Sequence, residues 1–151
     1  MASAKELKAI SQARLKTAKI LIEAEDWDGS AYIMGFALEI ALKAVICKTL
    51  HLVNYPENTK NRTTDAFFMT HNFDQLLKAS GMEDLFSARG KGDEFRNWGD
   101  FTQEYQGDWT AMRYNPERLE RFKKEEVERL YNNLVGKPSG IITVIKTKRR
   151  W

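Results

Sequence analysis

The sequence predicts an all-α fold: an up-and-down bundle of four to five helices with a short C-terminal helix. Three observations carry that reading. Apolar residues recur at three- and four-residue intervals along most of the chain. One central stretch is apolar nearly all round, as the middle helix of a bundle must be. The 151 residues are 42% hydrophobic and 30% charged, which is the balance of one folded domain rather than of a disordered chain.

The first helix is expected over residues 4–24. Leu7, Ile10, Ala18, Leu21 and Ile22 mark its inward face, and Lys5, Lys8, Lys16, Lys19 and Glu23 decorate the others. Residues 25–29 make a turn, after which Asp28 or Ser30 caps a second helix over residues 30–50. That helix carries Ile33, Met34, Phe36, Leu38, Ile40, Leu42, Val45 and Ile46, too many for one stripe. Only Glu39 and Lys43 interrupt it, one turn apart and so on one face.

Residues 51–70 break every period and read as a long loop. Thr70, His71 and Asn72 then have the composition of a helix start, leading into Phe73, Leu76 and Leu77 and ending at Gly81. Residues 83–88 suit a further turn. Residues 93–105 are helical by the row Phe95, Trp98, Thr102, Tyr105. Pro116 suits the first turn of a long helix whose inward residues are Leu119, Phe122, Val127, Leu130, Tyr131 and Leu134. Residues 136–140 are a hinge. The β-branched run 141–146 is assigned to a short helix, because a lone strand would have no partner. The organisation is thus one domain over 1–151, with a long loop at 51–70 and a hinge and basic tail at 137–151.

The formal charge of +3 is uneven. Lys146, Lys148, Arg149 and Arg150 supply four positive charges, so the remainder sums to −1. The alkaline pI therefore reports a basic tail, either a solubilising helix end or a phosphate contact. The one cysteine, Cys47, lies in an apolar stretch and is expected to be a small buried hydrophobe. No apolar leader follows the first residues, and the run 31–47 is broken by Glu39 and Lys43. A cytoplasmic protein outside the membrane is expected. There is no Gly-rich phosphate loop, no Cys/His cluster at zinc spacing and no Gly-x-Ser-x-Gly elbow. With two histidines in all, no metal and no cofactor are expected.

Four stretches carry a family resemblance. They are Trp27-Asp-Gly-Ser-Ala-Tyr-Ile-Met-Gly-Phe-Ala-Leu-Glu39-Ile-Ala-Leu-Lys43-Ala-Val, Thr70-His71-Asn-Phe-Asp-Gln-Leu-Leu, Trp109 followed by Arg113-Tyr114, and Ser139-Gly-Ile-Ile-Thr-Val-Ile-Lys followed by Trp151. Together they resemble a prokaryotic HEPN-domain protein of the nucleotidyltransferase-associated, defence type. The resemblance implies a helical bundle that forms a homodimer in toxin–antitoxin or phage-defence systems, with a small nucleotidyltransferase or RNA as possible partners. Active members are metal-independent endoribonucleases that use an Arg followed by His after four to six residues. This chain lacks that motif: His71 is its last histidine, Arg62 precedes it by nine positions, and no histidine follows Arg113. A non-catalytic binding or assembly module is therefore expected. The alternatives are an endoribonuclease toxin whose diverged site uses Arg113 and His71, and a structural partner of a nucleotidyltransferase.

The candidate binding residues are Glu39, Lys43, Arg113 and Tyr114. Glu39 and Lys43 are either a solvated i,i+4 pair or part of a buried polar cluster with Arg113 or His71. His71 is either a helix-start residue satisfied by backbone or a ligand-site residue. Arg113-Tyr114 either binds phosphate or anchors the last long helix. The aromatics of 95–114 read as core rather than as a stacking platform for single-stranded RNA, because 95, 98 and 105 have helical spacing.

Overall fold

A computed structural model describes residues 2–87, 92–105, 109–113, 121–148 and 150–151, with the side chain of Arg113 left out. Among them are seven α-helices and no strand: α1 Ala4–Glu23, α2 Trp27–Thr49, α3 Arg62–Phe68, α4 Phe73–Ser80, α5 Asp93–Glu104, α6 Lys124–Val135 and α7 Ile141–Thr147. Two 3₁₀ turns, Glu83–Phe86 and Trp109–Arg113, lie either side of α5 in the chain. The all-α bundle expected from periodicity is the fold observed.

α1 begins at a capping box. The Ser3 hydroxyl accepts from Glu6 N–H, and the Glu6 carboxylate accepts from Ser3 N–H at 2.8 Å. Its inward stripe is Leu7, Ser11, Leu15 and Ala18, whereas Ile10 is exposed. The reason lies across the contact with α2. Ser11 Oγ donates to Ala37 O at 2.8 Å and Ser30 Oγ donates to Ala18 O at 2.9 Å. As the α1 number rises the α2 number falls, so the pair is antiparallel. Small residues bring the two backbones together, and both buried hydroxyls are satisfied by carbonyls of the facing helix.

α2 is the central helix. It packs on α1, α4, α6 and the 3₁₀ turn at Trp109, and it buries fifteen of its residues, Ser30 to Cys47. Its N-cap is Asp26, which accepts from Gly29 N–H, not Asp28 or Ser30. Ser30 is committed to α1, and Asp28 accepts from the backbone N–H of Phe122 at 2.9 Å and of Arg121 at 3.3 Å. By length and composition α2 could cross a bilayer, but 72% of its most apolar window is buried inside the bundle.

Three further expectations are corrected. The loop 51–70 contains α3, started by Asn61 accepting from Thr64 N–H at 3.0 Å. Tyr55 fastens the segment by donating from its hydroxyl to Phe68 O at 2.6 Å. The helix expected over 116–134 is not continuous, since 121–123 are non-helical where Asp28 takes the N–H groups of 121 and 122, and α6 begins at Lys124. Pro116 and Leu119 lie outside the described residues. Phe95 is exposed, while Trp98, Phe101 and Tyr105 are core, as helical spacing required. α4 ends at Gly81 in the left-handed conformation (φ 74°), and α7 forms from the β-branched run with Ile141, Ile142, Val144 and Ile145 buried.

Candidate functional site

One face of α2 presents Tyr32, Phe36, Glu39 and Lys43, spaced by four, three and four residues. Glu39 is 2% exposed and Lys43 8%, so the solvated-strip alternative is overturned. An unpaired carboxylate there would cost several kcal/mol, and three donors prevent that cost. Lys43 Nζ donates to Glu39 Oε1 at 2.7 Å. The Trp109 indole N–H donates to Oε2 at 2.6 Å. His71 Nδ1 lies 3.1 Å from Oε1 and 3.0 Å from Oε2.

Each donor arrives by a different route. Lys43 is one turn further along the same helix. Its ammonium also sits over the Tyr55 ring, 5.1 Å from the centroid, so the cation has an anion on one side and a π face on another. Burial, reinforced by the negative charge of Glu39, pushes the Tyr55 phenol well above the ordinary tyrosine range.

His71 comes from the segment entering α4. Asn72, not His71, caps that helix, accepting from Gln75 N–H at 3.0 Å. The His71 ring is thus released from capping and turned to Glu39. Trp109 opens the 3₁₀ turn Trp109–Arg113 and is 1% exposed. Tyr32, Phe36 and His71 meet its ring edge-on, with centroids at 5.0, 5.6 and 6.2 Å. Gly35 leaves room for it: a Cβ at that position would lie 2.7 Å from Trp109 Cβ and 3.1 Å from a Tyr105 ring carbon.

The cluster reaches solvent at His71. The His71 side chain is 46% exposed while that of Glu39 is 3%. A carboxylate only accepts, so a neutral His71 donates through Nδ1–H and keeps Nε2 as an acceptor at the exposed end. The arrangement can therefore orient an imidazole toward solvent with a buried carboxylate behind it. Among the described residues no three His, Cys, Asp or Glu side chains gather as a metal-binding group.

Of the residues singled out from sequence, the structure brings Glu39, Lys43 and His71 together. Arg113 closes the 3₁₀ turn that Trp109 opens, but its side chain, and all of Tyr114, lie outside the described residues. Trp109, Tyr55 and Gly35 were not chosen as site residues. Only Gly35 left a local signal, a glycine inside an apolar helix where alanine would be more favourable by roughly 1 kcal/mol. The chain matches no protein family, curated protein or solved structure with which it was compared.

Proposed function

We propose that the chain is a HEPN-like binding and assembly module of a defence or toxin–antitoxin system, and that the surface around His71 is its contact face. One observation supports this most directly: a buried carboxylate holds a half-exposed imidazole in a fixed orientation at the bundle surface. Glu39 is occupied by three donors, which suits it to positioning rather than to taking a proton from a substrate. A recognition surface gains from such anchoring, because the groups it presents lose little freedom on binding. The partner classes consistent with this reading are a second copy of the chain, a nucleotidyltransferase and RNA.

A second reading, a metal-independent endoribonuclease with a diverged site using His71 and Arg113, draws on the same geometry. An imidazole bonded through Nδ1 and open at Nε2 is what a general acid–base residue requires. Incubation of purified protein with structured and single-stranded RNA in the presence of chelator separates the two. The binding reading expects no cleavage above background and a single symmetric dimer in sedimentation. Chelator-resistant cleavage lost in His71→Ala overturns it in favour of the nuclease. If cleavage is absent, co-expression with a nucleotidyltransferase encoded next to this chain tests the partner class: a complex weakened by His71→Ala is expected.

A further inference from the structure

α4 has two faces. Phe73, Leu76, Leu77 and Ser80 are buried in the core. Gln75, Lys78 and Ala79, three and four residues apart, form the other. With Ala66 and Phe67 of α3 they line an open hollow of about 500 Å³. That is within the range of roughly 300–1,000 Å³ typical of small-molecule sites. An alanine from each helix leaves the space.

The α3 wall is held in place without help from the core, for none of its residues is buried. Near its start the Thr59 N–H and hydroxyl donate to Asp65 Oδ1 at 2.8 and 2.7 Å. At its end the Tyr55 hydroxyl donates to Phe68 O at 2.6 Å. The Phe68 ring meets Tyr55 edge-on with centroids at 5.5 Å, and Phe67 meets Phe68 in the same way at 4.8 Å. Phe67 is thus oriented by its neighbour while remaining 53% exposed. Single exposed apolar residues are ordinary, but a ring fixed beside an apolar hollow is what a ligand site presents.

We propose that this hollow binds a monocarboxylate with an apolar body, of the medium-chain fatty acid class. The alkyl chain lies against Ala66, Phe67 and Ala79, and the carboxylate meets Lys78 and Gln75. The polar side chains of the hollow are set up to donate. Thr70 Oγ1 accepts from Asn72 N–H at 3.1 Å and donates to Gln75 Oε1 at 2.7 Å, so the Gln75 oxygen is occupied and its amide N–H groups are left for a ligand. Among the described residues no carboxylate lies within ion-pair distance of Lys78. Lys78 also opposes the negative end of α4, a role that requires no apolar hollow beside it. One cation and one amide match a single negative charge, and the walls match an alkyl chain.

The test is a nitrogen-15 NMR titration of the full chain with sodium octanoate, hexanoate and octylammonium chloride. The variants are Lys78→Gln, Ala66→Trp, which fills the hollow from an exposed position, and a remote control, Lys123→Gln. Octanoate is expected to give saturable shifts at the amides of 66, 67, 75, 78 and 79. It should bind several-fold more tightly than hexanoate, because each buried methylene adds up to about fourfold. Octylammonium should bind at least about fivefold more weakly, and Lys78→Gln should lose about fivefold for octanoate alone. Ala66→Trp should abolish the shifts and Lys123→Gln leave them unchanged; thermal melts check that each variant folds, and Lys78→Gln decides if Ala66→Trp does not. Absence of saturable shifts at these amides, or equal affinity for octanoate and octylammonium, overturns the proposal. So does a dimer that excludes octanoate and dissociates in Ala66→Trp, which assigns the hollow to a second copy of the chain. No outcome here depends on RNA, a nucleotidyltransferase or His71, so this site and the contact face are tested separately.

Discussion

Replacing Glu39 with alanine removes the one acceptor that three donors share. Lys43, a residue 8% exposed, is left with its ammonium facing the Tyr55 ring and no anion, and the Trp109 indole N–H, on a residue 1% exposed, loses its carboxylate. His71 is half-exposed and can turn to water, so its share of the cost is small. Stranding one member of a buried ion pair costs about 3–5 kcal/mol. For a domain of this size each kcal/mol lowers Tm by roughly 2–4 °C, so a fall on the order of 10 °C is expected. Adding Lys43→Met to Glu39→Ala removes the stranded charge and should recover a large part of the loss, giving a coupling of about 1–3 kcal/mol in a double-mutant cycle. Urea denaturation of the parent, both single variants and the double variant measures it. A Glu39→Ala protein that melts within about 2 °C of the parent, the shift of less than one kcal/mol, refutes the buried-network argument. Additivity of the two substitutions would do the same for the pair.

Two further outcomes follow from packing and burial. Gly35→Ala drives a methyl into Trp109 and Tyr105 and should destabilise by about 1–3 kcal/mol despite alanine's better helix propensity, while Gly99→Ala in α5, where a Cβ meets nothing within 4 Å, should stabilise by up to about 1 kcal/mol; paired thermal melts decide it, and equal effects at both glycines count against the close approach. Burial holds the Tyr55 and Tyr105 phenols above the ordinary tyrosine value, so their protonated forms favour the folded state, a contribution fully present below about pH 10 and lost as pH rises above it while the unfolded chain ionises. Alkaline titration at 295 nm should therefore show Tyr55 and Tyr105 ionising only with unfolding, and Tyr105→Phe should flatten the fall of stability above pH 10.

What the sequence made legible was whatever had a period. α2, α4, α5 and α7 lie close to where apolar spacing and Gly81 put them, and the i,i+4 pair of Glu39 and Lys43 stands out because no other charged residue falls in the apolar run 31–47. The partners of that pair were harder to see. Trp109 sits in a five-residue 3₁₀ turn and Tyr55 in a connection, segments too short or irregular for periodicity to fix an orientation. Ile10 and Ser11 show a second limit. Hydrophobicity favours burying Ile10, yet Ser11 is buried because its small hydroxyl can reach the Ala37 carbonyl where α1 and α2 approach closely. The chain at 121–123, read from sequence as helix, departs from it for a related reason: the Asp28 carboxylate, ninety-four residues from Phe122, takes the Phe122 N–H.

The cluster makes a surface property depend on core positions. His71 is oriented by Glu39, Glu39 is shared with Trp109, and Trp109 can reach Glu39 because residue 35 has no side chain. A substitution at Gly35, which is buried, should thus disturb the presentation of His71 at the surface as well as the stability of the core. Buried polar networks behave in this way because each member satisfies another and none can be displaced without leaving a desolvated group unpaired. An all-apolar α2 could stabilise the bundle as well or better, since well-packed apolar residues often outperform a buried ion pair. A buried Glu39–Lys43 pair that packing alone does not call for points to the orientation it enforces, in which three segments from distant parts of the chain are locked around one half-exposed imidazole.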